Sequence, residues 1–427
     1  MSTEFEACLK DGVVRKFGRE WKFSPQPWVL SKREWRAVEG MGHVLARFQQ
    51  ACDEVYRRSA AGSLPGWIAE LLDTGKPTWM VDVQRKAGKL GQRPRVIRPD
   101  LLLGEDGFAL TELDSVPGGM GIAGWLAELY AGAGFEVVGG AQGMAEGFRA
   151  VTGEGAAVVV SEEGGDYREE MAWLAQKAGG GRRVVAPEDF DGSASVYRFF
   201  EWFDWESMDL FRSLAERSVE GAVDLTPPCL PHLEDKLWLA LLWTPSLRRM
   251  WEGMLRGSHL QRLREWVPFG WVVDPSPLPP QAALPRLDVH DWEEVGGLSQ
   301  KERKLVLKIS GFHETAWGSR GVHVGHDLPS AEWREVLAGA MEDFSQQPWI
   351  LQEFRETKVV EHPVCDGRGG VELMRGRVRL CPYYFIDAAG ETKLGGCLAT
   401  LAPADKKKIH GMNDAVLLPC VVEGRPT

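Results

Sequence analysis

The chain has no Cys-x-x-Cys spacing: its seven cysteines, Cys8, Cys52, Cys229, Cys365, Cys381, Cys397 and Cys420, are an odd and scattered set. Neither a disulfide framework nor a zinc site is indicated. The nine histidines include no His-Glu-x-x-His pattern, and His323 and His326 share only a loop or a strand edge. No glycine-rich link spells Gly-x-Gly-x-x-Gly, so a nicotinamide dinucleotide is not supported. A basic stripe is also missing. With 50 basic against 61 acidic residues and a formal charge of −11, the composition argues against nucleic acid and against an anionic membrane as partners. The run Lys406-Lys407-Lys408 is short and reads as solvated surface. The longest helical apolar stretch, Leu237 to Trp243, is far too short to span a bilayer, and the N-terminus lacks an apolar core behind a basic start. A soluble, cytoplasmic protein is expected. No convincing Ser-His-Asp or Cys-His set is present, so chemistry through a side-chain nucleophile is not indicated.

What is there is an ordinary globular composition of 427 residues, 44% apolar, enough for two or three structural units. Eighteen tryptophans are unusual; most suit core or lobe packing, and some suit a substrate cleft. The chain is organised around residues 95 to 121. Two β-prone runs flank Glu105-Asp106-Gly107, and a three-residue loop ending in glycine predicts a hairpin. That loop places Gly104 opposite Phe108, Asp100 opposite Glu112 and Arg98 opposite Asp114. Because strand side chains alternate, the four charged residues share one face, with Ile97, Leu101, Leu103, Ala109 and Leu113 on the other.

Two carboxylates opposed at roughly 5 Å repel by about 3 kcal/mol at an effective dielectric near 20. A hard cation relieves that: Asp100, Glu112 and Asp114 offer the oxygens that magnesium takes when it also holds phosphate, with Arg98 as a fixed phosphate donor. The alternative is a solvated face whose charges never meet. Pro117-Gly118-Gly119-Met120-Gly121 then precedes a helix over Ile122 to Ala131, either as a tight turn or as freed amides that hold an anion.

Upstream, Ser31 with Glu34 fits a capping box, and Trp35, Val38, Met41, Leu45, Phe48, Cys52 and Val55 form one apolar stripe behind it. A short helix covers Trp67 to Leu72. From Gly134 strands and helices alternate: strands over 135–138, 156–160, 183–186 and 196–203, helices over 141–151, 167–178 and 207–219. That alternation predicts a parallel, doubly wound layer. After a linker at Thr226-Pro227-Pro228, helices cover 233–243 and 247–266. Strands follow over 304–309, 322–324 and 349–354, with a helix capped by Ser330, and then strands over 371–373, 378–386 and 394–401 that look antiparallel. The expected divisions are an N-terminal helical segment (1–92), the charged hairpin (93–133), an α/β lobe (134–226) and a C-terminal nucleotide-binding lobe (227–427).

Lys308 at the end of one strand, followed by Gly318 and Gly321 in a loop, makes a phosphate-covering device plausible, although the loop has no Walker spacing. In their order along the chain, Arg98-Pro99-Asp100, Glu112-Leu113-Asp114, Asp235-Lys236, Val306-Leu307-Lys308, Gly318-Ser319 and Ile350-Leu351-Gln352-Glu353 resemble the circularly permuted ATP-grasp ligases, in particular the synthetase domain of glutathionylspermidine synthase. The resemblance covers roughly residues 93 to 133 and 230 to 402. It implies a circularly permuted ATP-grasp-type fold of the α/β (α+β) class. It also implies Asp100, Glu112 and Asp114 as magnesium ligands, Arg98 on phosphate, and Lys236 and Lys308 on ATP. Gly318, Ser319, Arg320 and Gly321 would lie in the covering loop, and Gln352 and Glu353 at the adenine hinge. Asp114 and Asp235 stand where the family usually has asparagine. Near Gly395-Gly396-Cys397-Leu398-Ala399-Thr400 the family's phosphate-facing arginine is missing.

The implied reaction joins a small-molecule carboxylate to an amine through an acyl phosphate, using ATP and magnesium, with cations neutralising the charge that spreads in the transition state. It requires acidic side chains of the first third to converge with a basic one of the last third. The alternatives are a non-catalytic nucleotide-binding regulator or scaffold, which the missing arginine favours, and a phosphotransferase of the same fold. Substrates and oligomeric state are not legible.

Overall fold

Ser31 and Glu34 do form a reciprocal capping box: Ser31 N donates to Glu34 Oε2 at 2.8 Å and Glu34 N to Ser31 Oγ at 3.2 Å. The helix they start runs Lys32–Ala60, and the predicted stripe residues Val38, Met41, Leu45, Phe48, Cys52 and Val55 are buried along it. In this computed structural model, residues 3–279, 282–316, 320–406, 409 and 414–424 are described. Lys407, Lys408, Gly318 and Ser319 therefore lie outside the described residues. The chain is mixed α/β and divides into two units, one of Met1–Ala46, Lys89–Cys229 and Thr357–Thr427, the other of Arg47–Gly88 and Leu230–Glu356.

The first unit holds a nine-stranded sheet. Its main path runs Val13–Lys16, Arg19–Lys22, Val416–Val422, Thr392–Pro403, Val371–Ile386, Val96–Leu103, Phe108–Asp114. Val371–Ile386 is one sixteen-residue strand where two short ones were predicted, and its neighbours pair antiparallel. The charged hairpin forms the far end of this sheet. The predicted alternating region gives a four-stranded parallel sheet in the order Arg183–Val185, Ala157–Val160, Ser195–Phe199, Asp224–Thr226. All four residues of Ala157–Val160 are fully buried, as a parallel strand covered on both faces requires. Residues 135–138 do not make the expected strand. Gly139 and Gly140, at φ 83° and 74°, turn the chain away and leave only an isolated bridge from Val137 to Val421.

The second unit is built on a four-stranded antiparallel sheet ordered Gly270–Val272, Trp349–Glu353, Leu305–Ile309, Val322–Val324. Leu305, Leu307, Leu351 and Trp271 on one face pack with Trp333 and Leu337 of the helix Ser330–Glu342. That helix starts after Pro329 without the predicted serine cap. The helix expected over 233–243 is shorter, Leu237–Leu241, because the Asp235 carboxylate takes the Leu237 amide at 2.9 Å and starts the helix there. The expected 247–266 helix is two, Arg248–Met254 and Gly257–Trp266, with Leu255 and Arg256 extended between them. A helix at Thr78–Lys89 has no counterpart among the elements expected from the sequence.

Candidate functional site

In the first unit the hairpin pairs as predicted where the charges lie: Arg98 opposite Asp114 and Asp100 opposite Glu112. Nearer the turn the register differs, with Leu103 rather than Gly104 opposite Phe108, and Thr111 is the extra residue between the two registers. A bulge of this kind puts two residues against one. The charged face is closed by arginines. Arg98 Nη2 lies 3.0 Å from both Asp100 Oδ1 and Asp114 Oδ2, and Arg379 Nη1, from the adjacent long strand, lies 2.8 Å from Asp100 Oδ2. The Cys381 thiol donates to Asp100 Oδ1 at 3.5 Å. Burial alone would raise the Asp100 carboxyl, but Arg379 and Arg98 outweigh it and hold it below its ordinary 3.8. At Asp114 burial wins over Arg98 and the carboxyl is raised.

The repulsion that suggested a metal is thus relieved by two guanidiniums. Among the described residues no group of three or more His, Cys, Asp or Glu side chains is placed to hold a metal ion. With both Asp100 oxygens already accepting charged donors, the set Asp100, Glu112 and Asp114 as arranged does not fit magnesium. What the cluster retains is donor capacity. Arg98 Nε, Arg379 Nε and the hydroxyl of Thr400, the register partner of Arg379, are buried without partners among the described residues. An anion suits that surplus better than a cation. Arg379 was missed in the sequence: an arginine was sought near Thr400, and Arg379 stands opposite Thr400 on the neighbouring strand.

The glycine turn after the hairpin does hold an anion, and it belongs to the protein. Glu170, 1% exposed, accepts from the amides of Gly119 at 2.9 Å and Ile122 at 3.1 Å at the start of the helix Met120–Gly132. Glycine is needed for this approach, since a Cβ on Gly121 would stand 2.2 Å from the Glu170 carbonyl oxygen. Burial raises the Glu170 carboxyl even so.

In the second unit Lys308 pairs across to Ile350, and Val306, two residues back, to Gln352. Strand alternation therefore puts Lys308 and Gln352 on one face, opposite the leucine face. The helix Leu237–Leu241 covers it: a Cβ on Gly270, the other neighbour of Gln352, would meet Gln352 Cγ at 3.3 Å and Ala240 Cα at 3.4 Å. Gln352 is 1% exposed, and neither its Oε1 nor its Nε2 has a partner among the described residues. Lys236 does not pair with Asp235 but donates to the Ala316 carbonyl at 3.1 Å. Asp235 instead takes the hydroxyl of Ser310 and lies 3.6 Å from the buried Lys76 ammonium. Burial lowers the Lys76 pKa despite that carboxylate. Lys76 sits in a short loop far upstream, where nothing in the sequence marks it.

The remaining predicted residues are committed elsewhere. The Gly321 amide donates to the Thr315 carbonyl at 2.7 Å, so it is not free for phosphate; a Cβ there would stand 2.3 Å from Ile309 Cγ2. Arg320 donates to the Glu314 carbonyl at 2.7 Å. Glu353 pairs with Arg286 at 2.9 Å and Arg355 at 3.3 Å. No helix among the described residues is long and apolar enough to cross a membrane.

No known protein family and no curated protein matches the sequence. Among solved structures, a glutathione synthetase-like effector from Globodera pallida in its apo form is similar over 98% of this chain and 96% of its own, at TM-score 0.52 and 11% identity. A protein assigned as a gamma-glutamylcysteine synthetase from Methylobacillus flagellatus KT covers 80% of this chain and 83% of its own at TM-score 0.39 and 12% identity. Neither is named as a glutathionylspermidine synthase. The first likeness establishes a shared fold and no more.

Proposed function

We propose that the chain is an ATP-dependent carboxylate-amine ligase built on a circularly permuted ATP-grasp fold. The observation that carries this reading is Gln352, a buried amide with donor and acceptor both unpartnered, on the same sheet face as the strand lysine Lys308. A purine edge presents one donor and one acceptor side by side, and a lysine on the same face gives a point charge to its phosphates. The residues present therefore fit a nucleotide. Fold likeness to a synthetase-like protein supports the same reading without deciding the reaction.

In this reading Lys236, Lys308 and Gln352 hold ATP, with Glu353 beside Gln352 at the hinge, and in the first unit Arg98 and Arg379 offer donors to an anionic group. A carboxylate oxygen attacks the γ-phosphorus, ADP leaves, and the amine nitrogen then displaces phosphate from the acyl phosphate and loses a proton to give the amide. The lysines stabilise charge on the transferred group. Magnesium finds no ligand set among the described residues, and no step is assigned to it.

Calorimetry with ATP on the intact chain, Lys308→Met and Gln352→Leu tests this. Lys308→Met should bind ATP at least about tenfold more weakly, the value of one lost charge-assisted contact, and Gln352→Leu about fivefold to tenfold more weakly, the value of neutral amide hydrogen bonds. Unchanged affinity in both refutes the site. Tight binding without ADP formation over a broad panel of carboxylates and amines selects the non-catalytic nucleotide binder, and a stable phosphorylated acceptor selects the phosphotransferase.

A further inference from the structure

A cavity of about 650 Å³ opens in the second unit, and none of the residues predicted for the nucleotide lines it. The volume lies within the range of small-molecule sites. Its wall is aromatic. Trp243 and Phe269 rings lie 4.8 Å apart, Phe269 and Trp271 4.9 Å, and Trp67 adds a ring that is 40% exposed. Two carboxylates, Glu70 and Asp274, complete the lining, and no lysine, arginine or histidine belongs to it.

Aromatic clusters usually serve packing, but three features here point to a ligand. The ring faces already accept cations: the Arg286 guanidinium stands 4.3 Å over Phe269 and 5.5 Å over Trp243, and that of Arg264 stands 5.8 Å over Trp243. The two charged side chains that line the cavity itself, Glu70 and Asp274, are both carboxylates. Finally, Trp271 gives its indole N–H to the Pro285 carbonyl, whereas the Trp243 N–H is buried with no partner among the described residues. A ring wall attracts a cation through its quadrupole, carboxylates add to that attraction, and a spare indole N–H takes an acceptor.

We infer that this cavity binds a small organic amine, a cation on a flat apolar body that also carries one hydrogen-bond acceptor. The inference stands whether or not the chain is a ligase. Tyramine and 3-(4-hydroxyphenyl)propionate share a body and differ in the sign of the charged end. By calorimetry on the full chain, tyramine should bind saturably and the acid should not. Glu70→Gln and Trp67→Ala alter exposed side chains, so the core is spared, and each should weaken tyramine binding by about fivefold, the size of one partly exposed cation contact. Equal binding of amine and acid, no saturable tyramine binding, or tyramine binding untouched by both substitutions would overturn the assignment.

Discussion

In the first unit, each oxygen of the buried Asp100 carboxylate meets a guanidinium and one also meets a thiol; in the second, the equally buried amide of Gln352 meets nothing among the described residues. Both groups lie on strands inside a sheet, and the sequence pointed to both for the same nucleotide. They differ in what burial leaves unspent. A carboxylate whose acceptors are spent belongs to the stability of its sheet, and an amide with unspent ends is a cost that a bound ligand can remove. The arginine donors of the first unit are an intermediate case, since both carboxylate oxygens of Asp100 are paired while Arg98 Nε and Arg379 Nε have no partner among the described residues.

The sharpest way to break this contrast is to remove the carboxylate. Asp100→Ala strands two buried guanidiniums, and losing one partner of such a network costs about 3–5 kcal/mol. Chemical denaturation should show the first unit unfolding at markedly lower denaturant. A variant as stable as the parent would mean that the arginines are well solvated and that the cluster is not structural. Gln352→Leu should go the other way. Replacing an unpartnered buried amide by an apolar group of similar size relieves on the order of 1–3 kcal/mol of desolvation, so stability should hold or rise while ATP binding falls. Loss of stability would show that the amide has a structural partner after all.

Acid separates the units by direction. Asp100, held below 3.8, contributes stability that is complete above that pH and is lost only as pH falls through its depressed value. Asp114 and Glu170 are raised in the folded state, so their contribution is complete below their unfolded values of 3.8 and 4.5 and fades as pH rises. Mild acid therefore favours the first unit. In the second, His232 is fully buried, stacked on Tyr56 at 4.1 Å, with Nε2 3.1 Å from Asp53 Oδ1. Burial lowers its pKa below 6.5 in spite of Asp53, so its stabilising effect is complete above 6.5 and is lost as pH falls below that value. Hydrogen-exchange protection, corrected for intrinsic rates, should fall in the second unit between pH 7 and 5 while the first holds or gains. Loss in the first unit over that interval would mean that its buried carboxyls titrate in the opposite sense.

How far the sequence foretold these sites follows from the range of each interaction. Ser31 with Glu34 is settled within one helical turn, and the prediction held to the hydrogen bond. The pairs Arg98 with Asp114 and Asp100 with Glu112 were also legible, partly by cancellation. The loop joins Gly104 and Gly107 directly, N to O at 2.8 Å, one residue off the expected closure, and the bulge at Thr111 restores the register beyond it. No local pattern announces a bulge. Arg379 reaches Asp100 across 279 positions and Lys76 reaches Asp235 across a comparable break in the unit, so both depend on strand order and on chain excursions that spacing does not encode. The alternation over 134–226 gave three strands of its parallel sheet because each is a short run between turn-forming residues; it misled at 135–138, where glycines cut the run, ran the strand from 196 past its end at Phe199, and missed the three-residue strand Asp224–Thr226.

The smallest effect belongs to Glu353, which the resemblance placed beside Gln352 at the nucleotide hinge. Its carboxylate is about a quarter exposed and paired with Arg286 and Arg355, both about half exposed, a surface arrangement rather than a buried one. Exposed ion pairs contribute about 0–1 kcal/mol, because water screens the attraction and two long side chains must be ordered to make it. Glu353→Gln should therefore leave stability within about 1 kcal/mol of the parent and, since the backbone amide rather than the side chain bonds to Phe269 O at 2.8 Å, leave the strand pairing intact. ATP affinity is the discriminating readout: a change under about twofold assigns recognition to the amide of Gln352 alone, whereas a loss comparable to that of Gln352→Leu would show that the nucleotide draws on an exposed charge and would narrow the difference between spent and unspent groups.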